Sequence, residues 1–134
     1  MDLVKRIIRY EGGHTIAAFI FEGESGPSGG FHYPNGYLKG IKILCEKYEI
    51  LFIADEVMSG FGRTGKWFGF ELSDIIPDMI CMAKSLTSSY LPLGCLMVSD
   101  KIAAKYGDSP LWIGLTYNPH PAALAASSAV LNIY

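Results

Sequence analysis

The stretch Ile50-Leu51-Phe52-Ile53-Ala54-Asp55-Glu56-Val57 constrains this chain more than any other part of it. Five apolar residues closing on two carboxylates have the form of a strand buried in a parallel sheet, with its acidic end delivered to the rim. Ligands of open α/β sheets sit outside the carboxyl ends of the strands, which places Asp55 where chemistry is done. An ionised group in such a strand is costly unless something neutralises it. The partner of Asp55 is therefore what the rest of the sequence has to supply.

Upstream, Leu3, Ile7, Ile8 and Tyr10 recur at helical spacing until Gly12-Gly13 ends the pattern. Ile16 to Phe21 is a second apolar run that stops at a carboxylate, Glu22, and predicts a second buried strand. Residues 23–36 contain five glycines and two prolines and read as a loop at the sheet rim. Tyr37, Leu38, Ile41, Leu44, Cys45 and Tyr48 then share one helical face, with Lys39, Lys42, Glu46 and Lys47 opposite. Strand, loop, helix and strand in this order make a βαβ unit with parallel strands, so the expected fold class is α/β with a mostly parallel central sheet and flanking helices.

After Asp55 comes the glycine-rich loop Ser59 to Lys66, then the aromatic segment Trp67 to Phe70. Met79 to Ala83 forms another apolar strand and ends at Lys84. Leu93 to Val98 reads as one more strand. The link from Lys84 to Leu93 is too short for a helical crossover, which makes this strand antiparallel. Ser99 or Asp100 opens a short helix through Tyr106, and Pro119 or Pro121 opens a last one that runs to Tyr134. Asp55 and Lys84 then terminate two strands with opposite charges, and a plain salt bridge is the simplest expectation for such a pair.

At 134 residues, with 50% hydrophobic and 18% charged residues, the chain fits one domain with ample material for a core. A formal charge of −2 without long runs of one sign argues against a nucleic-acid or anionic-membrane partner. No apolar stretch approaches the ~20 residues needed to span a bilayer. The first residues lack an apolar signal core, so a cytoplasmic setting is the default expectation. Cys45, Cys81 and Cys95 are odd in number and set among apolar residues, and are expected to be buried reduced thiols. The three histidines show no ligand spacing, so no metal is expected.

Several motifs now stand in order: Ile53-Ala54-Asp55-Glu56-Val57, Gly60-Phe61-Gly62-Arg63-Thr64-Gly65, Pro77-Asp78, Ala83-Lys84-Ser85-Leu86 and Pro92-Leu93-Gly94. Together they resemble the class III aminotransferases, fold-type I enzymes that use pyridoxal 5′-phosphate, and the resemblance covers nearly the whole chain. It implies that Lys84 forms the Schiff base with the cofactor aldehyde and later moves a proton as acid and base. A lysine at its ordinary pKa of ~10.4 is a poor nucleophile, so the site must favour the neutral amine. The resemblance also implies that Asp55 faces the pyridine nitrogen and keeps it protonated, so that the ring can accept electrons. Val57 then packs on the ring, Thr116 reaches the cofactor phosphate of the neighbouring subunit in a homodimer, Glu22 lies near the substrate pocket, and Glu56 orients groups nearby. The partners implied are an amino donor and a 2-oxo acid.

The sequence departs from the pattern at three places. Met58 stands where many relatives carry a glutamine that contacts the ring hydroxyl. Pro27 stands where ornithine- and GABA-type members carry a second glutamate. Asn118-Pro119 replaces a Ser-Gly before His120-Pro121. By the resemblance the chain is a partial large domain, with the phosphate-cradling region and the small C-terminal domain outside it. The isolated chain is then expected to lack much of both pockets and to be inactive. Asp55 to Gly60 with Thr87 to Pro92 is similar to the branch using ω-amino donors with pyruvate, taurine and β-alanine transaminases among them. An aminomutase or decarboxylase on the same scaffold would use Asp55 and Lys84 equally well. A mononucleotide-binding NTPase is the alternative from another class, since Gly60 to Lys66 matches G-x-x-x-x-G-K. Trp67 occupies its Ser/Thr position, however, and the loop follows the acidic strand instead of preceding it.

Overall fold

The computed structural model describes residues 1–134, and they form an α/β unit around a four-stranded sheet of order β1-β2-β3-β4. The elements are α1 (Asp2–Glu11), β1 (Ala18–Glu22), α2 (Tyr37–Lys47), β2 (Leu51–Asp55), β3 (Met79–Met82), β4 (Cys95–Val98), α3 (Asp100–Ala103) and α4 (Pro121–Leu131). β1, β2 and β3 run parallel, and β4 returns antiparallel to β3, as the short link after Lys84 requires.

The core lies on one face of the sheet. Phe52 and Ala54 of β2 and Phe21 of β1 point into it, where they meet Leu38, Ile41 and Cys45 of α2 and Ile8 of α1. Phe52 stacks on Phe21 at 4.5 Å between ring centroids and on Phe19 at 5.9 Å. Asp78 locks β3 to the start of β2, because its carboxylate accepts the Phe52 N–H at 2.9 Å and an ammonium hydrogen from Lys42 at 3.4 Å. Pro77-Asp78 thus has a structural meaning: a buried backbone donor finds its acceptor on the neighbouring strand.

Several expectations are corrected. β2 alternates, with Leu51, Ile53 and Asp55 only half-buried on the face away from α2. β1 begins at Ala18, not Ile16, because Gly13–Thr15 forms a 3₁₀ turn in which Thr15 Oγ donates to the carbonyls of Glu11 and Gly12. It is an edge strand and Ile20 is 61% exposed. β4 starts at Cys95 instead of Leu93 and is solvent-exposed along its length, so Cys95 is an exposed thiol while Cys45 is buried. Of the apolar residues on α1 only Ile8 is buried. The helix after Ser99 ends at Ala103, short of Tyr106, and the last helix starts with Pro121 at its first turn and ends at Leu131. Tyr134 leaves that helix to pack on Phe61 and Trp67 and to donate its hydroxyl hydrogen to the Ser85 carbonyl at 3.3 Å. No helix is long and apolar enough to cross a membrane.

Candidate active site

The parallel register places Glu22, Asp55 and Cys81 side by side at the carboxyl ends of β1, β2 and β3. Asp55 Oδ1 accepts the Val57 N–H at 3.1 Å, which fixes the carboxylate against its own strand end. No lysine, arginine or histidine pairs with Asp55. Glu22 Oε2 is shielded from solvent and has no hydrogen-bond partner. Beside these carboxylates lies an open cavity of about 310 Å³, also lined by Ser25 and Tyr33 of the loop that follows β1. The surroundings register the charge: burial, with Glu22 beside it, pushes the Tyr33 hydroxyl above its ordinary range, and burial with Asp55 beside it does the same to the Cys81 thiol. This end of the sheet holds negative charge without a cation from the chain.

Lys84 follows β3 by two residues and opens a 3₁₀ turn, Lys84–Thr87. Its φ of 44° lies in the left-handed region, which costs a non-glycine residue on the order of 1 kcal/mol or more and is sustained here by the turn around it. The side chain is exposed, and its amine rests against the sulfur of Met58 instead of a carboxylate. The Asp55–Lys84 salt bridge is therefore not formed. A thioether is a weak acceptor with no charge, so Met58 places the amine without an anionic partner. Lys84 lines a second cavity, of about 690 Å³, with Ala83, Ser89, Leu91, Pro92, Leu93 and Gly94.

The structure thus brings Glu22 and Asp55 together, keeps Val57 half-buried two residues beyond the acid, and sets Lys84 on the adjacent strand's end. Thr116 sits on an exposed turn and lines neither cavity. Two residues near the acids, Ser25 and Tyr33, carry no sequence signal beyond their place in a glycine-rich loop. Glu56 has a larger role than the sequence reading assigned. It is fully buried and accepts hydrogen bonds from Ser59 Oγ, the Gly69 N–H and the Phe70 N–H. Strand alternation is the signal that could have found it, because Phe52, Ala54 and Glu56 share parity and so share the core face.

Unpaired carboxylates and a free amine on adjacent strand ends, with cavities beside them, form a small-molecule site of the kind α/β sheets build at their rims. The chain belongs to the aminotransferase class-III family, whose model matches residues 2–134. It is similar to an omega-aminotransferase of Caulobacter vibrioides, 43% identical over 138 residues that take in 99% of this chain and 31% of that protein. A probable gamma-aminobutyrate transaminase 2, mitochondrial, of Oryza sativa is 40% identical, with 99% of this chain and 28% of that protein covered. Among solved structures, the taurine:2-oxoglutarate aminotransferase of Bifidobacterium kashiwanohense, in complex with PLP and glutamate, superposes with a TM-score of 0.96 at 44% identity, covering 99% of this chain and 30% of that one. An (S)-enantioselective omega-transaminase of Thermomicrobium roseum gives 0.91 at 43%, covering 97% and 30%. The chain spans about three tenths of the length of these relatives.

Proposed function

We propose that these residues form the central part of the large domain of a pyridoxal 5′-phosphate-dependent aminotransferase, which moves an amino group from an amino donor to a 2-oxo acid. The observation that carries this reading is the rim itself, where an acid without a cation and an amine without an anion end neighbouring strands. The unpartnered oxygen of Glu22 and the Asp55 carboxylate, which no cation pairs, suit a protonated ring nitrogen, and the exposed amine of Lys84 suits an aldehyde. The relatives named above support the same cofactor and reaction class.

In this reading Asp55 would hold the proton on the ring nitrogen, Val57 would lie against the ring, and Lys84 would bond to the aldehyde carbon. When bound, the cofactor supplies an electron sink for the substrate carbanion. Lys84 would also serve as the acid and base of the reaction, and its backbone, fixed in the Lys84–Thr87 turn, keeps that amine at one place. The exposed position of Thr116 suits a contact made to the phosphate in the partner subunit of a homodimer. The donor is an ω-amino acid or amine and the acceptor a 2-oxo acid such as pyruvate.

The test is nitrogen transfer by the parent polypeptide, using a ¹⁵N-labelled ω-amino donor and pyruvate. Label recovered in alanine supports the reading. Loss of carbon dioxide from the donor, or label kept within the donor skeleton, would replace it with the decarboxylase or aminomutase reading.

A further inference from the structure

We propose that Glu56 is a positioning residue for this site, one carboxylate that fixes the strand ends bearing Asp55 and Glu22 relative to each other; the inference rests on the reading of Asp55 as the partner of the cofactor ring. Glu56 is 0% exposed and no cation pairs with it. Its oxygens are taken up by three donors instead. Ser59 Oγ donates to Oε2 at 2.6 Å, the Gly69 N–H to Oε2 at 2.7 Å, and the Phe70 N–H to Oε1 at 2.9 Å. Every contact is a donation to the carboxylate, which is what an acceptor-only, ionised group takes.

The same side chain touches the end of β1. Gly23, which follows Glu22, lies so close that a Cβ there would press into the Glu56 carboxylate and sit 2.8 Å from Ser59 Oγ. A Cβ at Gly69 would likewise come within 3.1 Å of the Gly23 backbone. The backbone of Glu56 adds two ties, donating to the Cys81 carbonyl at 2.9 Å and accepting the Gly60 N–H at 2.9 Å. The residue after Glu22, the turn after Asp55, the end of β3 and the 69–70 segment therefore converge on one residue. Asp55 is its immediate neighbour, and the Asp55 carboxylate is held by the N–H of Val57, the residue on the other side of Glu56. If Glu56 lets go, the turn that carries Val57 loosens and the aim of Asp55 loosens with it.

Glu56→Gln separates this role from general support of the fold. The amide has nearly the same shape, but in either orientation its NH₂ faces an N–H donor, that of Gly69 or that of Phe70, so at least one bond is lost. Residue-resolved hydrogen exchange on the full chain reads the consequence. The expected result is exchange faster by about tenfold or more at Gly69, Phe70 and Val57, with the β2 amides of Ile53 and Ala54 unchanged. Unchanged exchange at Val57, or equal acceleration throughout the chain, would overturn the proposal. Ser59→Ala keeps the carboxylate and removes one donor, so it serves if Glu56→Gln fails to fold; it should accelerate Val57 in the same direction by less, and no change there would also overturn it. Failure of the cofactor reading is recognised separately, by absence of covalent cofactor capture at Lys84 in the unsubstituted protein, a result that leaves the exchange pattern untouched.

Discussion

Asp78 offers the sharpest test of how the rim is held in place. Its Oδ2 accepts the N–H of Phe52, a residue with no solvent exposure, and faces Lys42, whose side chain is 17% exposed against 21% for Asp78 itself. Asp78→Ala strands a buried backbone donor, which costs about 1–3 kcal/mol, more than the neutral bond is worth when both partners are removed together. The ion pair adds a smaller part, on the order of 0.5 kcal/mol, because Lys42 stays within 3.7 Å of Glu46 and the pair is partly solvated. The total expected for Asp78→Ala is therefore about 1.5–3.5 kcal/mol. Asp78→Asn retains an oxygen for the Phe52 N–H and loses only charge, so it should cost less than about 1 kcal/mol. Equilibrium urea unfolding of the three proteins measures both. Equal losses for the two variants, or an alanine variant within about 0.5 kcal/mol of the parent, would show that the strand-locking hydrogen bond is not what Asp78 contributes.

Gly23→Ala should destabilise by about 1–3 kcal/mol through overpacking against Glu56 and Ser59, whereas Gly94→Ala, whose added carbon meets nothing within 4 Å, should be neutral in the same thermal melt. Burial pushes the Cys45 thiol from 9.0 up to about 11, so the folded state holds this proton more tightly than the unfolded one. The stability it contributes is complete below about pH 9 and is lost as pH rises towards 11, by roughly 2–3 kcal/mol, and unfolding curves of the parent should converge on those of Cys45→Ala across that window. Parallel curves would contradict the assignment. At pH 8 iodoacetamide should alkylate exposed Cys95 well before buried Cys45, a difference that peptide mass spectrometry resolves.

The α/β class, the parallel pairing of the Asp55 and Lys84 strands and the antiparallel return of β4 were legible because each follows from hydrophobic runs and link lengths. Edge exposure was not. The run from Ile16 to Phe21 has the composition of a central strand, and only the order β1-β2-β3-β4 shows that it lies at the side of the sheet with Ile20 in solvent. Cys95 misled for the same reason, since an apolar setting in sequence does not tell which strand is last. The stop of α4 carried no glycine, so Asn132 passed as helix. At the site, Asp55 and Lys84 announced themselves as charges at the ends of apolar runs. The alignment of Glu22 with Asp55 depends on strand register, and the contact of Lys84 with Met58 depends on a left-handed turn; neither is written in any local pattern.

The claim that Lys84 receives the cofactor is tested most directly by reductive capture. The parent polypeptide is incubated with pyridoxal 5′-phosphate, reduced with borohydride, digested and mapped by mass spectrometry. The account predicts a pyridoxyl group on the Lys84 peptide, none there after Lys84→Ala, and weaker capture after Asp55→Ala. Label spread evenly over exposed lysines such as Lys39, Lys47 and Lys101, with the Lys84 peptide not enriched, would contradict it.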